Sequence, residues 1–478
     1  MYKLSKSFSK TLYTNRLGLL TFVCLSLLTA GVLAIAPEIS SAIQKTGPVN
    51  IKTKMSQSKL VQGEMSTIYL DVSIKPPGLD LIREAQRASD IIVVLDRSGS
   101  MAGANKMPYA KAAIRDLLSR LNEFDRFALV SFSNNAVIHS SLANVTTTNR
   151  EQLLTAVNNI QIGGGTNIGE GLNYALKLLH DQRKNRASKV LLLSDGQANQ
   201  GVTDLPGLSR IVAKITQQES VLSSIGMGLD FNETLMSSLA DYGMGSYAYL
   251  EDLSGLGDIF AQNLNATRSI YAPNSHIVIN LSEGVELIDA GGYPFSKDRN
   301  NNYRIKTGQL LSNKHKTLVM TFQVTAENTG HISLGQMYLA YQKQGDHRQF
   351  IDSETLTLAV VEAKHRQDAV ASIDADVYKR SWLQNNLGRM QKNLSQYIRA
   401  GNKDKADQVI NEYRDEVAKA EKQAAMPIAT EEMDSRLKEM ESSVVDAFTG
   451  NRTDQEVKRK RAAKSLQMGS IKKQRTIQ

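Results

Sequence analysis

The sequence predicts an α/β domain with a doubly wound parallel sheet, inserted between the strands of a β-sandwich and followed by a helical region. Three observations point there. Between residues 90 and 267, short apolar runs at 91–95, 127–132, 190–193 and 221–225 alternate with stretches of helical periodicity, as expected for parallel strands buried on both faces. On either side, apolar residues recur at every second position: Ile68, Leu70, Val72 and Ile74 before, Leu318, Met320, Phe322 and Val324 after. That is the period of strands with one buried face. Beyond residue 363 the apolar spacing becomes three and four residues, the period of packed helices.

Taken in order, Val49, Ile51 and the run at 68–74 predict strands that Pro76 and Pro77 end. Two strands alone do not make a stable unit. Their natural partners are the period-two segments around Ile277 and Ile279, 318–324, 337–341 and 356–360, which makes the α/β region an insertion in one sandwich. Inside it, helices are expected at 106–121, 150–160, 168–179, 207–217 and 233–240, the first presenting Tyr109, Ala113, Ile114, Leu117, Leu118 and Leu121 on one face. Downstream, Leu383, Leu387, Met390, Leu394 and Tyr397 mark one helix and Val409, Tyr413 and Val417 a second, with GNKDKA at 401–406 turning between them. Pro427 separates a third helix carrying Leu437, Met440 and Val444. The expected division is 1–42 leader, 43–85 first sandwich strands, 88–268 α/β domain, 272–363 sandwich, 366–450 helices and 451–478 basic tail.

The leader is read from Lys3, Lys6, Lys10 and Arg16 ahead of an uncharged run at 17–36, then Pro37 and the small residues Ser40 and Ala42. This is the pattern of an export signal cleaved after Ala42. A run of about twenty apolar residues also suffices to span a bilayer, so a retained membrane anchor at 17–36 is the alternative. Either way the body of the chain is expected outside the cytoplasm: periplasmic, secreted or anchored facing outward. The single cysteine, Cys24, lies in this segment, leaving the remainder without a thiol nucleophile, disulfide or thiolate metal site.

The net charge of +9 is concentrated at the other end, where residues 451–478 hold nine Lys or Arg against two Asp or Glu. Such a tail suits an anionic membrane or a nucleic acid, but no aromatic residues are interleaved, so no nucleic acid is expected. A solvated helix end is the plainer reading.

The chemistry lies in three loops. DIIVVLDRSGSM at 90–101 ends a buried strand by setting Asp96, Ser98 and Ser100 on alternate positions. GGGTNIGEG at 163–171 places Thr166 in a glycine-rich loop that opens a helix, and LLLSDGQAN at 191–199 places Asp195 at the end of another strand. Ligands of open parallel sheets bind outside the carboxyl ends of the strands, where all three loops fall. Two carboxylates and three hydroxyls, without His or Cys, make a hard-oxygen site suited to Mg²⁺, with Mn²⁺ or Ca²⁺ as the other candidates. An incompletely filled shell would accept a carboxylate from outside. The same residues could instead cap loops in a metal-free fold. Asp204 and Glu170 lie in neighbouring loops.

Other chemistries fail. GGGTNIGEG lacks the lysine of a P-loop, Ser194-Asp195-Gly196 lacks the glycines of a nucleophile elbow, and the histidines at 139, 180, 276, 315, 331, 347 and 365 have no ligand spacing.

Asp96, Ser98 and Ser100 as DxSxS, Thr166 in GGTN and Asp195 in SDG resemble, in order, the metal-ion-dependent adhesion site of von Willebrand factor A domains, over about residues 90–264. The flanking sandwich resembles the layout of inter-alpha-trypsin-inhibitor heavy-chain-like proteins and of bacterial relatives labelled calcium-activated-chloride-channel-like. No channel follows, because the only long apolar run is the N-terminal one. The resemblance implies metal binding by these five residues, without assigning which of them bind directly and which through water. It also implies a non-enzymatic module that binds a protein partner through that partner's Asp or Glu. Two other classes remain beside it. One is an envelope scaffold in which the metal only stabilises the fold. The other is a subunit of a chelatase-type enzyme, which the export signal and the missing P-loop disfavour.

Overall fold

The computed structural model describes residues 43–44, 48–79, 87–179, 186–343, 348–352, 356–474 and 476–477. The leader at 1–42, and with it the signal or anchor expected at 17–36, lies outside the described residues. Among the described residues, no helix is long and apolar enough to cross a membrane.

The two longest strands ahead of the α/β region are β1 (Asn50–Met55) and β2 (Met65–Lys75). The α/β region then runs β3 (Ser89–Asp96), α1 (Lys106–Arg120), β4 (Arg126–Phe132), β5 (Ala136–Asn144), α2 (Thr147–Asn158), α3 (Ile168–Leu179), β6 (Ala187–Ser194), α4 (Leu205–Gln217), β7 (Ser220–Met227), α5 (Glu233–Tyr242), β8 (Met244–Leu250) and α6 (Leu256–Arg268). Its strands line up as β8-β7-β6-β3-β4-β5, all parallel except the edge strand β5. Every residue of β3, β4, β6 and β7 is buried, because helices cover both faces. Ile91, Val93 and Leu95 face α1, α2 and α6, while Ile92 and Val94 face α3, α4 and α5. The chain builds outward from β3 to β4 and β5, then crosses to β6 on the other side. The strand order therefore reverses between β3 and β6, which opens a crevice at their carboxyl ends.

Two aspartates bracket β3 and serve different ends of it. Asp90, at the amino end, is buried and neutralised by Arg126 (Nε to Oδ1 2.9 Å) and Arg186 (Nε to Oδ1 2.6 Å). Asp96, at the carboxyl end, meets no arginine. It opens onto the crevice.

The sandwich closes around this insertion. Among the described residues it continues with β9 (Asn274–Leu281), β10 (Val285–Ala290), β11 (Asn302–Lys306), β12 (Lys316–Thr325) and β13 (Gly335–Gln342). β2 pairs antiparallel with β12 from Met65↔Thr325 to Ile74↔Lys316, with β1 and β10 outside them. In the facing sheet β9 lies between β11 and β13. Leu70, Val72, Ile277, Ile279, Leu318, Met320 and Leu339 share the core between the sheets. The strands before the insertion thus find their partners beyond it, as the alternation predicts.

Helices cover the outer face of β2 and β12. They are α7 (Ala375–Arg399), α8 (Lys403–Ala424), α9 (Glu431–Ala447) and α10 (Arg452–Gln474). Tyr69 and Val319, pointing outward from the sandwich, join their core beside Tyr378 and Trp382. Gly401, in the left-handed conformation at φ +73°, ends α7, and the Asn402 side chain caps α8. This is the turn expected from GNKDKA.

The structure corrects three expectations. Tyr109 is 39% exposed and leaves the buried face of α1. Strands β5 and β8 were not foreseen by the apolar pattern, since both have half-open burial. The basic tail is not a solvated end: it is α10, packed along α7. The hydrogen bonds Gln384 Nε2 to Gln474 O (3.1 Å), Ser470 Oγ to Gly388 O (2.7 Å) and Ser395 Oγ to Ala463 O (2.7 Å) fix the two helices antiparallel.

Candidate metal centre

The three loops singled out in the sequence meet at the carboxyl ends of β3 and β6. Backbone hydrogen bonds clasp them. Gly99 N donates to Gly164 O (2.9 Å), Gly163 N to Arg97 O (2.6 Å) and Asn199 N to Thr166 O (3.1 Å). Two amide side chains complete the clasp: Thr166 N donates to Asn199 Oδ1 (2.8 Å), and Gly165 N to Asn134 Oδ1 (2.6 Å). The glycines are steric necessities here. A Cβ on Gly163 would stand 2.4 Å from Ser133 Oγ, and one on Gly165 2.8 Å from Asn134 Oδ1.

All five expected side chains come together. Ser98 Oγ lies 3.0 Å from Ser100 Oγ, and Ser100 Oγ donates to Asp195 Oδ1 at 2.8 Å. Asp96 accepts from Ser98 N at Oδ1 (2.8 Å) and from Ser194 Oγ at Oδ2 (2.6 Å). A methyl group placed on Gly196 would stand 3.3 Å from Thr166 Oγ1 and 3.6 Å from Ser100 Oγ. The two hydroxyls therefore border one small space that a hydrogen atom at position 196 leaves open. Asp96, Ser98, Thr166 and Asp195 are buried, whereas Ser100 is exposed and sits at the mouth.

Burial pushes the Asp96 carboxyl up to about 6, and the charge of Asp195 pushes in the same direction, against the hydrogen bonds from Ser194 and Ser98. Two acidic groups held this close in a water-poor crevice favour a cation between them. The donor set of carboxylate and hydroxyl oxygens fits a hard divalent ion. The opening at Gly196 gives such an ion room beside Thr166 and Ser100. Among the described residues, this site included, no three His, Cys, Asp or Glu side chains gather as a metal cluster; the donors here are two carboxylates and three hydroxyls.

The two peripheral acids have other tasks. Asp204 caps α4, accepting from Gly207 N at 2.8 Å. Glu170 accepts from Ala136 N at 3.1 Å and from Asn167 Nδ2 at 3.3 Å, tying the β4–β5 turn to α3.

One participant was not foreseen. Lys106, the first residue of α1, is buried and directs its ammonium into the site, 2.5 Å from Asp195 Oδ2 and 3.3 Å from Ser100 O. A hint was available: a cation in the first turn of a helix opposes the helix dipole, so its position calls for a nearby anion. Ser194, Asn134 and Asn199 are the other supports that spacing alone did not single out.

Comparison with known proteins agrees with this architecture. The sequence profile of the von Willebrand factor type A domain matches residues 90–262. Residues 90–262 are therefore a von Willebrand factor type A domain, and β3 to α6 build it. The protein is similar to the uncharacterized protein YfbK of Escherichia coli (strain K12), 26% identical over 244 residues that make up 50% of this chain and 42% of that one. It is also similar to the inter-alpha-trypsin inhibitor heavy chain H2 of Sus scrofa, 29% identical over 204 residues, 41% of this chain and 21% of that one. The match thus spans less than half the length of either relative. Among solved structures, the von Willebrand factor type A protein from Catenulispora acidiphila superposes with a TM-score of 0.67, covering 90% of this chain and 98% of that one at 15% identity. That likeness is one of fold, and it extends beyond the α/β domain to the sandwich and helices.

Proposed function

We propose that this protein is an exported, metal-dependent protein-binding module without catalysis of its own. Asp96, Ser98, Ser100, Thr166 and Asp195 hold a divalent cation, Mg²⁺ by their hard-oxygen chemistry, with Mn²⁺ or Ca²⁺ as substitutes. The ion's open position takes an Asp or Glu of a partner protein. Support comes from one observation above all: two buried aspartates and three hydroxyls, carried on three clasped loops, surround an opening at the carboxyl edge of the sheet. Export rests on the apolar run at 17–36 and its basic flank. That run either is cleaved after Ala42 or anchors the protein to a membrane facing outward.

The test is capture of partners from solubilised membranes on the immobilised full chain, with Mg²⁺ and with EDTA. Partner capture should need Mg²⁺ and should be lost in an Asp96→Ala, Ser98→Ala variant that keeps the native far-UV spectrum. Undiminished capture by that variant in EDTA would overturn the proposal. Sequencing the mature amino terminus separates a cleaved leader from a retained anchor.

A further inference from the structure

We propose that the Lys106 ammonium is the resident counter-ion of this site: it occupies the cation's place at Asp195 in the metal-free protein, and a divalent ion must displace it to bind. The proposal rests on reading the site as a metal centre, and adds what governs loading of that centre.

Both oxygens of Asp195 already have a partner. Its Oδ1 accepts from Ser100 Oγ at 2.8 Å and its Oδ2 from Lys106 Nζ at 2.5 Å. Asp195 is wholly buried and Lys106 nearly so, so water does little to screen the pair. A divalent ion near Ser100 and Asp195 would lie a few ångströms from the ammonium, and the repulsion between the two cations would be strong in this crevice. That repulsion disfavours their sharing Asp195.

The chain takes unusual steps to put this lysine there. Ala104 and Asn105 are consecutive non-glycine residues in the left-handed region, at φ +50° and +55°, where L-residues are disfavoured. They turn the chain so that Lys106 N donates to Gly103 O (3.1 Å) and α1 begins with its first side chain inside the crevice. The helix N-terminus repels a cation, so Asp195 supplies the compensation. The aliphatic part of Lys106 runs beside Gly228, where a Cβ would be 3.1 Å from Lys106 Cε. Asp230 also lies within electrostatic reach of the ammonium, so a lysine leaving Asp195 is not left without an acidic neighbour.

Lys106 then lowers metal affinity and stabilises the empty site. Titration calorimetry of the full chain with MnCl₂, together with thermal melting in EDTA, tests both effects. Lys106→Met, which keeps the apolar stem and removes the charge, should bind Mn²⁺ at least about tenfold tighter than the native protein. It should also melt lower in EDTA and gain more melting temperature from saturating Mn²⁺. Lys106→Gln keeps a hydrogen-bond donor for Asp195 without the charge, and should bind tighter as well should the methionine variant fold poorly. Native-like or weaker Mn²⁺ binding by both variants, beside clear binding by the native protein, overturns the role of Lys106 and leaves the metal centre standing. Absence of Mn²⁺ binding in all three overturns the metal centre along with it.

Discussion

At the scale of single residues, the positions that touch nothing are as informative as the ligands. Gly196 contributes no side chain, yet the space in front of it separates Thr166 and Ser100. Gly196→Ala should fill that space and lower Mn²⁺ affinity by an order of magnitude or more, while costing the fold only about 1 kcal/mol. Calorimetry and urea denaturation on the same protein check both halves. Lys189 poses the opposite case. It lies in β6, is wholly buried and has no hydrogen-bond partner for Nζ among the described residues. Burial pushes its amine down to about 7, whereas an unfolded lysine titrates near 10.4. Between these values the unfolded chain holds a proton that the folded one does not, so stability should rise as pH goes from about 7 toward 10. Lys189→Met should remove that slope and stabilise the protein at pH 7 by ~1–3 kcal/mol, measurable by urea denaturation at pH 7 and pH 9. The five oxygen residues were legible because each belongs to a short local pattern, four of them just at or after a strand end and Thr166 in a glycine-rich loop that opens a helix. Lys189 was not, because a lone lysine in a sequence carries no record of what surrounds it, and Lys106 left only the indirect hint of its place at a helix start.

At the scale of elements, legibility followed burial. The strands buried on both faces, β3, β4, β6 and β7, and the helices with a wide apolar stripe showed plainly in the spacing. The edge strand β5 did not. It exposes Val137 and Ile138, so its apolar residues mark neither a buried run nor one clean face. Helix α10 escaped for a different reason. It meets α7 through small residues: Gly469 comes close to Gln391 and Gly388 to Gln474, while the Ala463 carbonyl accepts from Ser395 Oγ and Ser470 Oγ donates to Gly388 O. Close contacts of this kind leave little hydrophobic signal, and the lysines and arginines between them dominate the composition. Ala463 is wholly buried against Ser395. Ala463→Leu should overpack that contact, destabilise the protein by ~1–3 kcal/mol and expose the 452–474 segment to trypsin. Native-like trypsin resistance of this variant would contradict the packing described.

At the scale of the whole molecule, part of the basic charge read as a possible surface for membranes or nucleic acid is paired within the protein. It joins the helical layer to the carboxyl edge of the von Willebrand factor type A domain, the same edge that carries the candidate metal centre. Lys460 meets Asp230 at 3.0 Å and Arg461 grips Glu251 at 2.5 Å, both pairs substantially exposed. Lys464 is different: it is wholly buried, 3.1 Å from Glu233 Oε2, and its ammonium sits 3.5 Å from the centre of the Phe231 ring. Exposed pairs contribute at most about 1 kcal/mol each, whereas removing one partner of a buried pair leaves the other charge uncompensated, at a cost of several kcal/mol. Arg399 also reaches Glu233, so some compensation would survive the loss of Lys464. Two variants therefore separate the contributions. Lys460→Ala with Arg461→Ala should change unfolding free energy by less than about 1 kcal/mol and leave proteolysis unaltered. Lys464→Ala should cost ~2 kcal/mol or more and release the helical layer to protease first. Mn²⁺ affinity should stay within about twofold in both, because none of the three cations touches the five-oxygen site. Equal effects of the two variants on stability would show that the layers are joined by diffuse surface charge and not by the single buried contact at Glu233.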